Sequence, residues 1–116
     1  MVYTHVNVLI QILIQQGICT FFISPGSRSA PLTLAAARHP AAETHVFNDE
    51  RACGYAALGY AITKKRAAVI ITTSGTAAIN IYPAVAEAFF LEAPLIVLTA
   101  DRPPEWIGQQ DGQAIF

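Results

Sequence analysis

The chain has 116 residues, 53% of them hydrophobic and only 13% charged, against roughly a quarter charged in an ordinary globular domain. That length holds one domain with a core, and a composition so apolar excludes disorder. A net charge of −1, with no basic cluster beyond Lys64-Lys65-Arg66, argues against nucleic-acid binding.

The predicted elements alternate along the chain. Thr4 to about Gln16 sets Val6, Leu9, Ile10, Leu13 and Ile14 at helical spacing, and Gly17 supplies a C-terminal stop. This opening lacks a basic n-region and a small-residue cleavage site, so it does not read as a signal peptide. A short strand is expected over Thr20–Ser24, then a helix over Ala30–His39 with Pro31 in its first turn, where proline is tolerated. Thr44–Asn48 reads as a second strand, and Asp49 opens a helix that runs to about Thr63. Ala67–Thr73 is a continuous β-branched run of the kind buried on both faces. Thr76–Leu91 reads as one helix kinked at Pro83, and Leu95–Ala100 as a fourth strand. The uncharged run Ala67–Ala86 has the length of a membrane span, but Thr72, Thr73, Ser74, Gly75, Thr76, Asn80 and Pro83 within it suit a turn better than lipid. The expectation is a soluble, cytoplasmic protein without a membrane span.

Helices alternating with short, wholly apolar strands predict a single α/β domain over residues 1–116. It should be doubly wound and flavodoxin-like, three layers around a parallel sheet of strand order 2-1-3-4. Ligands bind such sheets at the carboxyl ends of the strands, where the polar segments fall. They are Ser24–Ser29, Asn48–Arg51, Thr73–Thr76 and Asp101–Glu105. Cys19 and Cys53 have apolar neighbours and no CxxC spacing, so they read as buried free thiols. His5, His39 and His45 lack metal-ligand spacing, and no metal site is expected from this chain alone.

Arg28 follows a Gly-Ser turn at a helix start, where free backbone N–H groups already favour an anion. Its guanidinium adds bidentate recognition of a carboxylate or phosphate, and Arg102, beside Pro103-Pro104, would bring a second cation to the same rim. The competing reading pairs each arginine with a local acid: Glu50, Asp101 or Glu105. Glu50, in the first turn of a helix, either complements the helix dipole or, buried among Ala52, Cys53, Gly54, Ala56 and Ala57, has a raised pKa and acts as a proton donor. Thr73, Ser74 and Gly75 belong to a stretch that is neither a Walker A loop nor GxSxG. It is either a backbone surface that a flat or anionic ligand can approach or a plain tight turn. Between Ala67 and Ala100 only Glu87 and Glu92 are charged, so part of this surface should lie against another domain or subunit. The small-residue face of Gly54, Ala57, Leu58 and Ala61 is one candidate for that contact.

Taken together, ISPGSRSAPLTLA, FNDERACGYAALGYA, TTSGTAAINIYPAVAEA and LTADRPPE resemble the N-terminal part of the menaquinone-pathway synthases among the thiamine-diphosphate-dependent enzymes. The resemblance covers essentially the whole chain. It implies a pyrimidine-binding domain, the first of three in a longer homo-oligomeric polypeptide. The residue matching the family's cofactor-activating glutamate is Glu50, whose proton shifts the aminopyrimidine ring to the tautomer that deprotonates the thiazolium. Thr73, Ser74 and Gly75 would line the cofactor pocket. The implied reaction decarboxylates 2-oxoglutarate and adds the succinyl unit to isochorismate. Ser27, Arg28, Ser29 and Arg102 then look like carboxylate clamps, and Gln113 like a glutamine that touches the substrate. The family's GDG…Asn motif for Mg²⁺ and the diphosphate is absent from this sequence. The resemblance therefore implies that the diphosphate-binding domain of a second subunit holds them, and that this piece alone is inactive. Two alternatives stay open: the pyrimidine domain of another thiamine-diphosphate decarboxylase or carboligase, and a non-catalytic flavodoxin-like module.

Overall fold

Two apolar runs, Thr20–Ile23 and Ala68–Thr72, become the central strands β1 and β3, with every residue of both buried. The computed structural model describes residues 3–102 and 104–106. β1 pairs in parallel with β3 (Phe21 opposite Val69, Ile23 opposite Ile71) and, on its other side, with β2 (Glu43–Val46). β3 pairs in parallel with β4 (Leu95–Thr99), which gives the order β2-β1-β3-β4. This is the expected 2-1-3-4 sheet.

Alternation along the two central strands divides the core into two layers. Phe21, Ile23, Val69 and Ile71 pack with residues of α1 (Thr4–Gln15) and α2 (Ala30–Arg38), including Ile10, Leu13 and Ala36. Phe22 and Ile70 point the other way, toward Cys53, Ala57 and Ala61 of α3 (Glu50–Lys64) and toward Ile81. Ile81 joins α4 (Thr76–Asn80) to α5 (Tyr82–Leu91), and a short 3-10 turn at Pro104–Trp106 follows β4. Three layers result, as expected of a doubly wound domain. Among the described residues no helix is long and apolar enough to cross a membrane.

Three details differ from the expectation. The Thr76–Leu91 segment is two helices rather than one kinked helix, and Pro83 sits in the first turn of the second. Proline has no N–H to give the preceding turn and its ring would clash with the carbonyl four residues back, so the helix restarts there. The strands are not all apolar: β2 is Glu-Thr-His-Val and mostly exposed, because an edge strand needs no cover on its free side and charge there discourages further pairing. The small-residue face of α3 is internal. Gly54, Ala57, Leu58 and Ala61 are buried within the chain, and a Cβ on Gly54 would stand 3.0 Å from the Ala84 Cβ of α5. Small side chains there let two helices of one domain meet. The most exposed large apolar side chains among the described residues lie instead on α5, where Phe89 and Phe90 are 77% and 80% exposed, with Tyr82 and Leu91 also exposed.

Candidate functional site

β1 runs into the Ser24–Ser29 loop and on to α2 in one helical layer. β3 runs into Thr73-Ser74-Gly75 and on to α4 in the other layer. Two neighbouring strands whose connections leave in opposite directions open a crevice at their carboxyl ends. The loops meet at Gly26, where a Cβ would lie 2.7 Å from the Thr73 Cβ. Ser29 fastens the first loop: its hydroxyl accepts from the Gly26 N–H and donates to the Gly26 carbonyl, both at 3.1 Å, and the residue is fully buried. Ser27 is exposed and Arg28 half-buried on the loop so held. Gly75, at φ 74° and ψ −134°, turns the second loop into α4, a conformation that disfavours a side chain.

Asp49 caps α3 by accepting a hydrogen bond from the Arg51 N–H at 3.1 Å, which sets Glu50 at the first helical position. Glu50 is half-buried within this chain, less enclosed than its apolar neighbours suggest. Cys53, three residues on and therefore on the same helical face, is fully buried. Ser24 shares the α3-facing side of β1 with Phe22 and lies against Cys53. Burial pushes the Cys53 thiol up, the Ser24 side chain partly offsets this, and the Glu50 carboxylate adds to the rise. Glu50, Cys53 and Ser24 are thus neighbours where α3 begins above the end of β1. Three hydroxyls at this edge, those of Ser24, Thr73 and Ser74, are buried without a hydrogen-bond partner in the chain, at 2%, 5% and 4% residue exposure. Thr72, by contrast, donates to the Thr73 carbonyl at 3.1 Å.

The other helical layer holds a cleft of about 890 Å³ along α1 and α2, and Ser27, Arg28 and Arg102 all line it. The Arg102 N–H donates to Asp101 Oδ1 at 2.7 Å, which fixes the turn after β4. Arg38 and His39 line the far end of the cleft. The Ala41 N–H donates to His39 Nδ1 at 3.1 Å, so Nε2 carries the proton it shares with Gln11 Oε1 at 2.7 Å. Glu50 does not line this cleft. The structure therefore gathers the predicted residues into two groups flanking the carboxyl edge of the sheet: Ser27, Arg28 and Arg102 on one side, Glu50, Thr73, Ser74 and Gly75 on the other. Gln113 lies outside the described residues.

The sequence placed Ser24 in a polar strand end and Cys53 beside Glu50 but gave neither a role in the site, and it did not bring Arg38 and His39 to these groups. Strand parity with Phe22 and the three-residue step from Glu50 to Cys53 were available signals for the first two. The approach of α1 to the end of α2, which creates the far end of the cleft, had no signal in the sequence.

Residues 3–115 match the family described as "Thiamine pyrophosphate enzyme, N-terminal TPP binding domain". The chain belongs to this family. Similar curated proteins carry the name 2-succinyl-5-enolpyruvyl-6-hydroxy-3-cyclohexene-1-carboxylate synthase. One from Psychromonas ingrahamii is 51% identical over 118 residues, covering 97% of this chain and 20% of that protein. One from Porphyromonas gingivalis is 49% identical over 110 residues, covering 95% and 19%, and one from Prosthecochloris aestuarii is 53% identical over 98 residues, covering 84% and 17%. The chain thus spans about a fifth of the length of these relatives. As a thiamine pyrophosphate-binding domain it has a suitable place for the cofactor ring. Buried, unpartnered hydroxyls cost about 1–3 kcal/mol each, and a ring edge rich in donors and acceptors would satisfy those of Ser24, Thr73 and Ser74. Among the described residues no group of three or more His, Cys, Asp or Glu could hold a metal ion.

Proposed function

We propose that this chain is the pyrimidine-binding side of a synthase that decarboxylates 2-oxoglutarate and adds the succinyl unit to isochorismate. The observation that carries the reading is the cluster of unpartnered buried hydroxyls beside Glu50 at the ends of β1 and β3. When bound, thiamine diphosphate supplies the carbanion chemistry, and the protein supplies position and protons.

Glu50 holds and delivers the proton at a ring nitrogen. Its helix start fixes it in place through the Asp49 cap. The Thr73 and Ser74 hydroxyls orient the polar edge of the ring, and Gly75 lets the backbone come close to it. Across the sheet edge, Ser27, Arg28 and Arg102 bind the carboxylates of the two substrates, each a dicarboxylate, in the cleft along α2. Ser29 keeps Arg28 in place through its two bonds to Gly26. Gln113 adds a substrate contact. Mg²⁺ and the diphosphate are held by the diphosphate-binding domain of a second subunit in a homo-oligomer, which packs on the apolar outer side of α5 and completes the cover over Glu50. The 116-residue piece alone is inactive.

The experiment uses the full-length protein with thiamine diphosphate, Mg²⁺, 2-oxoglutarate and isochorismate. Isochorismate-dependent CO₂ release that collapses in Glu50→Gln is the expected result. Release indifferent to isochorismate would assign a different acceptor, and no turnover in a folded, cofactor-saturated protein would remove the catalytic reading.

A further inference from the structure

Three hydroxyls are left without partners at the strand ends, and the family reading accounts for two of them. The third belongs to Ser24. We infer that Ser24 is a cofactor-binding residue, whose hydroxyl, buried under the first turn of α3, completes its hydrogen bonding on the polar edge of a bound aminopyrimidine ring beside Glu50. The inference rests on the proposed function and adds a residue to it.

Ser24 follows the last residue of β1 and is still tied into the sheet, since its N–H donates to the Ile71 carbonyl at 3.0 Å. A backbone so fixed leaves the side chain little choice of face. Parity with Phe22, which packs on the α3 side, directs the hydroxyl toward Cys53 and Glu50. The residue is only 2% exposed, and its hydroxyl has no oxygen or nitrogen partner in the chain, its one recorded interaction being with the Cys53 sulfur. The adjacent Cys53 sulfur is a weak acceptor and does not meet that need.

An unmade buried hydrogen bond destabilises the fold, and Ser24 carries one beside Glu50, at the strand ends that also hold the unpartnered Thr73 and Ser74 hydroxyls. The hydroxyl makes physical sense as a group kept ready for a ligand. An aminopyrimidine fits that role because its edge both donates and accepts, as a hydroxyl does. Thr33 supplies the internal comparison. Its Oγ1 is also buried without a partner, but it lies on α2, in the helical layer opposite Glu50.

The test uses the full-length protein and its Ser24→Ala, Thr33→Val and Glu50→Gln variants. Melting temperatures are measured with and without thiamine diphosphate and Mg²⁺, and cofactor affinity is measured by calorimetric titration. Ser24→Ala should leave the melting temperature of the cofactor-free protein unchanged or higher, because an unsatisfied polar atom has been removed. It should weaken thiamine diphosphate binding about three- to tenfold, the loss of roughly one hydrogen bond. Thr33→Val should bind the cofactor like the wild type. If Ser24→Ala lowers the cofactor-free melting temperature, Ser24→Cys, which keeps the side chain's size, carries the same comparison. Wild-type affinity in the Ser24 variants, while Glu50→Gln is impaired, overturns the inference and leaves the proposed function standing. A folded wild type that neither binds nor is stabilised by thiamine diphosphate overturns both.

Discussion

Gly26 and Thr73 close the crevice between the two central strands from opposite sides, so tightly that a Cβ on Gly26 would lie 2.7 Å from the Thr73 Cβ and 2.8 Å from its Cγ2. Both atoms of Thr73 sit next to the backbone and cannot swing away as the end of a long side chain could. Gly26→Ala must therefore push the Ser24–Ser29 loop off the end of β3. The expected loss of stability is about 1–3 kcal/mol, read as a lower urea midpoint at unchanged slope. Because the same loop carries Arg28, substrate affinity should fall with it. An alanine variant as stable as the wild type would show that the loop has slack that this contact denies.

Gly54 poses the same question inside the helical layer. A Cβ there would reach 3.0 Å from the Ala84 Cβ and 3.5 Å from the Ile81 Cγ2. For alanine the tight contact is opposed by a gain of about 1 kcal/mol in helix propensity, so that variant does not decide the matter. Valine does, since its branched side chain cannot enter the space between α3 and α5. Gly54→Val should cost about 1–3 kcal/mol, with a correspondingly lower melting temperature. Unchanged melting would mean that α5 can move outward freely.

The case of Gly54 shows what sequence could and could not tell. The sheet order was legible because helices alternating with short strands point to parallel connections, and a doubly wound sheet of four such strands is expected in the order 2-1-3-4. The polar strand ends were legible for the same reason. By contrast, a small-residue face such as Gly54, Ala57 and Ala61 has the same composition whether it meets another helix of its own chain or another subunit. The partner became visible only when Ala84 and Ile81 were placed beside it. Thr44–Asn48 was expected to be as apolar as the other strands; the 2-1-3-4 order already made it an edge, and the mostly exposed Glu-Thr-His-Val of β2 is what an edge position allows. Ser24 was legible only as one residue of a polar strand end, because lacking a hydrogen-bond partner is a property of the fold rather than of a residue type.

Cys53 should make the stability of the domain sensitive to alkaline pH. Its folded-state pKa is raised above the ordinary value of 9.0, chiefly by burial and further by the Glu50 carboxylate. The folded state therefore holds the thiol proton more tightly than the unfolded state. Its contribution is complete below the unfolded pKa and is lost as the pH rises through the folded value. Within that window the slope approaches about 1.4 kcal/mol per pH unit. Urea denaturation at pH 8, 9 and 10 measures it, and Cys53→Ala should flatten the difference between the last two points. An identical pH dependence in the variant would remove the thiol as its cause.

Arg28 and Glu50 flank the same sheet edge from different helical layers, and only Arg28 lines the cleft along α2. Substrate and cofactor functions should therefore separate by mutation in the full-length protein. Under the proposed function, Arg28→Ala should raise the KM for one of the two dicarboxylate substrates by about ten- to a hundredfold, the loss of a charge-assisted hydrogen bond worth about 1.5–3 kcal/mol. Arg28→Lys keeps the charge but loses the planar fork, so its KM should fall between the two. Thiamine diphosphate affinity should stay at the wild-type level in both variants. Steady-state kinetics with each substrate varied in turn, alongside cofactor titration, checks all three statements. Weakened cofactor binding with an unchanged KM would move Arg28 to the cofactor side of the edge, and the cleft along α2 would lose its assigned ligand.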